Sequence, residues 1–229
     1  MQILEITSFR ELLNAIEETS RGSVFRGQEN AEWKLIPQIG RVYHYKPKIV
    51  KEINPLRVYA EEVVAFEDFK RRATPYVTHV PSDDWQWLTL ARHQGLPTRL
   101  LDWTDNPLVA AFFACFDNYK QDSAIFVLDR KDVNLVVKSD NPFQINEPKL
   151  FEPHHLTSRI TAQAGVFTIH CEPHIEFGEN FVKKWVISKK CQINIGVQLE
   201  NFGINYSTLF PGLDGLSKMI IHKFLLYEN

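Results

Sequence analysis

Three things are scarce in this chain: cysteine, surplus charge and long apolar runs. Cys115, Cys171 and Cys191 are the only cysteines; they stand far apart with no C-x-x-C pair. An odd, scattered set argues against a disulfide framework and a thiolate zinc site, and predicts buried free thiols in a reducing compartment. Lysine and arginine number 26 against 28 acids, a formal net charge of -2. Non-specific nucleic-acid binders draw most of their affinity from a basic excess, so the whole chain is not of that class; a local basic groove remains open. The longest apolar run, LVAAFFACF at 108–116, is too short to span a bilayer. The opening MQILEITSFRELL lacks the basic flank and apolar stretch of a signal peptide. His154 and His155 lie together, but no partners stand at ligand spacing, so no metal is expected. These absences predict a cytoplasmic protein without a membrane partner.

What is present is enough apolar material for a sizeable core, 44% of 229 residues, and one domain over 1–229 is expected. Ser8 and Glu11 form an S-x-x-E capping pair ahead of Phe9, Leu12, Leu13 and Ile16, which predicts a helix over 9–19. SVFRG at 23–27 reads as a strand, and QENAEWKLIPQIGR after it as irregular. A helix is predicted over 55–72, ending in Lys70-Arg71-Arg72, a triplet read as a solvated face. Another runs from a Ser82 or Asp83 cap to about Gln94, stopped by Gly95 and Pro97. Thr98–Trp103 reads as a strand. Asn106-Pro107 opens a helix that is apolar nearly all round, and so central. Strands are predicted at 123–129, 133–137 and 183–188, with one or two over 159–170. The segment 139–157 reads as a loop, and 190–201 and 213–226 as helices. Helices, then strands, then helices is an α+β pattern, with helices flanking a mixed or antiparallel sheet.

Residues 89–104, TLARHQGLPTRLLDWT, interleave Arg92, His93, Gln94, Arg99, Asp102 and Thr104 with leucines and a tryptophan. Polar groups on a central strand must be satisfied by a network, because burying them unpaired costs too much. Such a network either locks a core or lines a cleft. Arg99 and Asp102, three apart, face opposite sides of a regular strand, so each needs its own partner. Trp103 alternates away from Asp102 and is expected in the core.

Three segments together resemble the FRG domain, a family of prokaryotic and phage proteins named for a Phe-Arg-Gly signature: VFRGQ at 24–28, LARHQGLPTRLLDWTDNPLVAAFFA at 90–114 and RITAQAGVF at 159–167. LFPGLDGL at 209–216 also fits. Their order is similar to the layout of ADP-ribosyltransferases, which split the nicotinamide–ribose bond of NAD. That similarity implies an NAD-using effector of a toxin or phage-defence system, with a protein or nucleic-acid acceptor. It places Arg26, with Arg99, as cations for the dinucleotide, Thr104 beside Asp102 on the second strand, and Gln163 where a transferase has its acid. His93 joins Gln163 and Asp102 as a candidate catalytic group.

The departures are plain. The second-strand pattern is Asp102-Trp103-Thr104, and residue 163 is a glutamine with no charge to offer an oxocarbenium ion. Glu172, Glu176 or Glu179 from the following loop, or Asp102 itself, are the remaining carboxylates. The alternative is a non-catalytic module that reads a nucleotide, a nucleic acid or a phage protein through the same cleft. Arg26 also has a purely structural reading, an ion pair to Asp102 that ties two strands together, and Gly27 beside it leaves room for a ligand to approach. His93 near a helix end can equally serve the helix dipole.

Overall fold

The computed structural model describes residues 2–45, 55–116, 119–154, 157–178 and 180–227. Its frame is a seven-stranded mixed sheet in the order β1-β7-β4-β2-β3-β6-β5. The strands are β1 (Ile3–Ile6), β2 (Ser23–Gln28), β3 (Leu100–Thr104), β4 (Ser123–Asp129), β5 (Lys149–Phe151), β6 (Gly165–Ile169) and β7 (Lys183–Ile187). All neighbours are antiparallel except β1 and β7. The fold is therefore α+β, as the order of elements predicts.

Helix caps do much of the local work. Ser8 accepts from the Glu11 amide at the start of α1 (Phe9–Glu17). Glu11 does not return the bond to Ser8; its carboxylate instead takes the Thr7 amide and hydroxyl, at 2.7 and 2.8 Å. Asp83 caps α4 (Asp84–His93), and Asn106 caps α5 (Pro107–Cys115) ahead of its first-turn proline. The basic end of α3 (Pro55–Ala73) pairs with Glu67, Asp68 and Asp84. α7 (Lys189–Asn201) and α9 (Leu213–Tyr227) lie where helices are expected, with the short α8 (Tyr206–Leu209) between.

Two helical groups cover one face of the sheet. Directly opposed residues in a ladder share a face, and residues alternate along a strand. Phe25 pairs with Thr104, Thr104 with Gly165, Asp102 with Phe167, and Leu100 with Ile169. Phe25 belongs to the core under α1, α5 and α7, whereas Leu100, Phe167 and Ile169 pack beneath α3 and α4. Asp102 and Thr104 occupy the interval between these groups. Leu101 and Trp103 turn to the other face, among Val24, Phe126, Val166 and Phe177. Trp103 is thus a core residue, its indole N–H donating to the Thr168 hydroxyl at 2.9 Å.

Several expectations fail. Residues 133–137 form no strand: a single bridge joins Leu135 to Leu150, and Leu135 and Val137 are exposed. Inside the expected loop 139–157 lies β5. The stretch 159–170 holds one strand, β6, but opens as helix, since Thr157 caps α6 (Ser158–Ala162) before β6 begins. The irregular stretch after residue 28 contains α2 (Gln38–Tyr45), and β1 precedes α1. Cys115 and Cys191 are buried as expected, but Cys171 is half-exposed. Among the described residues no helix is long and apolar enough to cross a membrane.

Candidate functional site

Where the two helical groups part, the sheet floor opens into a cavity of about 470 Å³. Five of the six residues singled out in the sequence line it: Arg26, His93, Asp102, Thr104 and Gln163. Arg99 does not. It lies just before β3, buried against Glu62 of α3, with its Nε and Nη2 donating to Oε2 at 3.0 and 2.8 Å and its backbone amide donating to Oε1 at 2.8 Å. Its guanidinium lies 4.9 Å from the Phe143 ring centre. As a cation for a ligand in this cavity it is misplaced: just ahead of β3 it turns against α3, where a complete ion pair with Glu62 consumes it.

Asp102 is the hub of the cavity. Arg92, on the last turn of α4, grips both carboxylate oxygens, Nε to Oδ1 at 3.1 Å and Nη2 to Oδ2 at 2.5 Å, and is itself held by Gln38 of α2. Arg26 approaches from β2. The β2–β3 ladder has one matched pair, Phe25 with Thr104, and beyond it the Arg26 guanidinium donates to the Asp102 carbonyl at 2.8 Å, with the carboxylate at 3.4 Å. The side chain thus bridges strands whose backbones have parted, and the strand-tying reading of Arg26 is correct as far as it goes. Asp102 keeps 41% of its side chain accessible because it faces the cavity, although protein surrounds it. Burial pushes its carboxyl up, but Arg92 and then Arg26 outweigh that and hold it at about 2. It is a fixed anion, not a group poised to trade a proton near neutrality.

Sequence reasoning missed Arg159, on α6. Its guanidinium stacks 4.5 Å from the Phe210 ring centre, and no carboxylate pairs with it among the described residues. Its Nε and that of Arg26 are buried without a hydrogen-bond partner. The cavity lining therefore carries three arginines against one carboxylate. Burial, and then Arg159, depress His93, so its ring is neutral at pH 7. The signal for Arg159 was present in RITAQAGVF, but reading that segment as strand hid the helix that aims it.

Thr104 and Gln163 serve the wall. The Thr104 hydroxyl donates to the Gln163 carbonyl at 2.6 Å and accepts from the Asn106 amide at 3.0 Å. Gln163 ends α6, rather than lying on a strand, and its side-chain amide donates to the Leu209 carbonyl at 3.1 Å. Ala164, the next residue, has a φ of 44°, rare for a residue with a side chain. Gly27 has a purpose other than the expected one. A Cβ there would run into the Ala110 carbonyl of α5, so the glycine admits a helix backbone, not a ligand. Of the alternative carboxylates, Glu172 and Glu176 line a different cavity beside His170, with Glu176 paired to Lys34 at 3.1 Å. Glu179, like His155, lies outside the described residues.

Compared with known proteins, residues 21–123 match the FRG domain. No curated protein and no solved structure matches the chain. The matched stretch supplies Arg26, Arg92, His93, Asp102 and Thr104; Arg159 and Gln163 come from beyond it.

Proposed function

The chain carries an FRG domain, and we propose that the arginine-lined pocket of this domain recognises a phosphate-bearing nucleotide, NAD first among the candidates, without cleaving it. One observation carries the reading. The single carboxylate in the lining is already gripped by two arginines, while a third, Arg159, has none. Surplus guanidinium in a partly dry cavity calls for an anion, and the planar fork suits phosphate oxygens. The buried Nε atoms of Arg26 and Arg159 are donors awaiting an acceptor. Glycosyl transfer from NAD asks for something different: a carboxylate at liberty to take a ribose hydroxyl and to face an oxocarbenium ion. Asp102 is bound on both oxygens, and Gln163 gives its amide to Leu209.

Calorimetry with NAD, ADP and inorganic pyrophosphate tests the proposal. All three bind the unmutated protein. Arg159→Ala weakens binding by about tenfold or more, the range for a hydrogen bond to a charged group, with little change in melting temperature. Nicotinamide is not released, with or without protein, RNA or DNA acceptors. Absence of any binding overturns the pocket reading. Nicotinamide release abolished by Asp102→Asn establishes the transferase instead.

A further inference from the structure

A second concavity lies against the first. It is a groove of about 1030 Å³ between the end of α3, the turn after it and α4, with Phe69, Tyr76, Val77, Leu90 and Leu96 as its apolar lining. The two concavities share Gln94. The last turn of α4 and the start of α6 are their common partition: His93 and Gly95 face the arginine pocket and Leu90 and Leu96 the groove, as Arg159 and Thr157 do on the other side. The partition is low. Gln94 and Gly95 are exposed, Gly95 has a φ of 91°, and a Cβ on it would meet nothing within 4 Å.

We infer that this groove holds the second ring system of the ligand whose phosphates occupy the arginine pocket, so that the ligand class is a dinucleotide. The inference rests on the pocket reading above and adds the identity of the far end. Continuity across Gln94 argues for one ligand in two parts: fixed cations on one side of a low sill, apolar surface on the other. The groove's chemistry argues for a heterocycle over a hydrocarbon tail. Tyr76, 89% exposed, and Phe69 offer aromatic faces, and His79 stands beside them to meet the edge of a base, while Asp68 is engaged by Arg71 and Arg72 and Thr157 caps α6.

The test compares diphosphates that differ in what their two ends carry, using inorganic pyrophosphate, ADP, NAD, diadenosine diphosphate and farnesyl diphosphate, by calorimetry on the full chain. Two variants address the groove alone. Tyr76→Ala removes an exposed ring, and Ala65→Trp, at an exposed groove position on α3, fills the space. The dinucleotides bind the unmutated protein about tenfold tighter than ADP, within what stacking one base on an aromatic side chain supplies. Both variants erase that advantage and leave pyrophosphate affinity unchanged. Pyrophosphate binding with no dinucleotide advantage, or an advantage that survives both variants, overturns the second subsite and leaves the pocket standing. Farnesyl diphosphate outbinding the dinucleotides overturns the ring assignment. Failure of pyrophosphate itself to bind overturns both readings.

Discussion

Arg99 and Asp102 are three residues apart in sequence, and each meets an opposite charge, yet the two constellations are of different kinds. Around Arg99 the count is one to one. Its side chain and that of Glu62 are 4% and 2% exposed, and the pair also ties down the backbone amide that leads into β3. Around Asp102 the count is three arginines to one carboxylate, and the anion faces a cavity. Charge stoichiometry, more than burial or strand position, separates a core pair from a binding site. A complete pair has nothing left to offer a ligand, whereas a surplus has.

The largest effect expected from breaking this contrast is on the closed pair. Glu62→Ala leaves the Arg99 guanidinium buried without its anion and should cost about 3–5 kcal/mol of unfolding free energy. Urea melts would measure it, and pyrophosphate affinity of the folded fraction should not move. A loss below about 1 kcal/mol, the level of a surface pair, would refute the assignment of Arg99 as a core lock.

Asp102→Asn should act in two directions. Stability falls by about 1–2 kcal/mol, less than a fully buried pair because the carboxylate is partly accessible. Affinity for pyrophosphate rises about fivefold or more, since the one neutralising charge has gone. A catalytic or ligand-accepting carboxylate would show the opposite sign in binding. The acid limb gives a further check. Asp102 is held at about 2 in the fold, below an unfolded value of about 3.9. Its contribution to stability is therefore present above the unfolded value and lost as pH falls through about 2, a limb that Asp102→Asn should lack.

The smallest effect belongs to His93. Burial and Arg159 depress it, and a bound anion favours its protonated form, so binding takes up a proton. Affinity for a dinucleotide, whose diester phosphates keep a fixed charge, should rise a few-fold between about pH 7.5 and 5.5. His93→Gln should flatten that slope. An unchanged slope in the variant places the titrating group elsewhere.

Much of this was legible in the sequence where local signals were strong. Ser8, Asn106 and the pair Ser82-Asp83 marked three helix starts, and the apolar spacing over 55–72 marked α3. The misses have tertiary causes. β1 is four residues, three of them exposed, and it is a strand only because β7 lies alongside it. α2 contains Gly40, a poor helix former, whose missing side chain lets the helix backbone press on Pro173. VNLVV has strand composition but finds only a single bridging contact. In the site, five of the six chosen residues converge because polar groups interleaved with leucines need satisfying. Arg99 showed the same signal with the opposite outcome, and its partner, Glu62, lies on a helix 37 positions earlier that periodicity gave no reason to pair with it. The α6 geometry that presents Arg159 depends on Thr157 as a cap, a role concealed while that residue read as the end of a loop.

The contact between Gly27 and Ala110 has a mechanical consequence. With backbone set directly on backbone, α5 and β2 have no soft side chain between them to absorb movement, so that jaw of the pocket is stiff. The opposite jaw is hung differently. The α6–β6 turn is attached through single polar links, Thr104 to the Gln163 carbonyl, Gln163 to the Leu209 carbonyl and the Asp105 amide to the Ala164 carbonyl, with Ala164 in a left-handed conformation at the pivot. Arg159 rides on this compliant side while Arg26, on β2, belongs to the stiff one. Admission and release of a ligand then become the work of one short turn, and amide exchange across the pocket should be lopsided, fastest at residues 159–164 and slowest along β2.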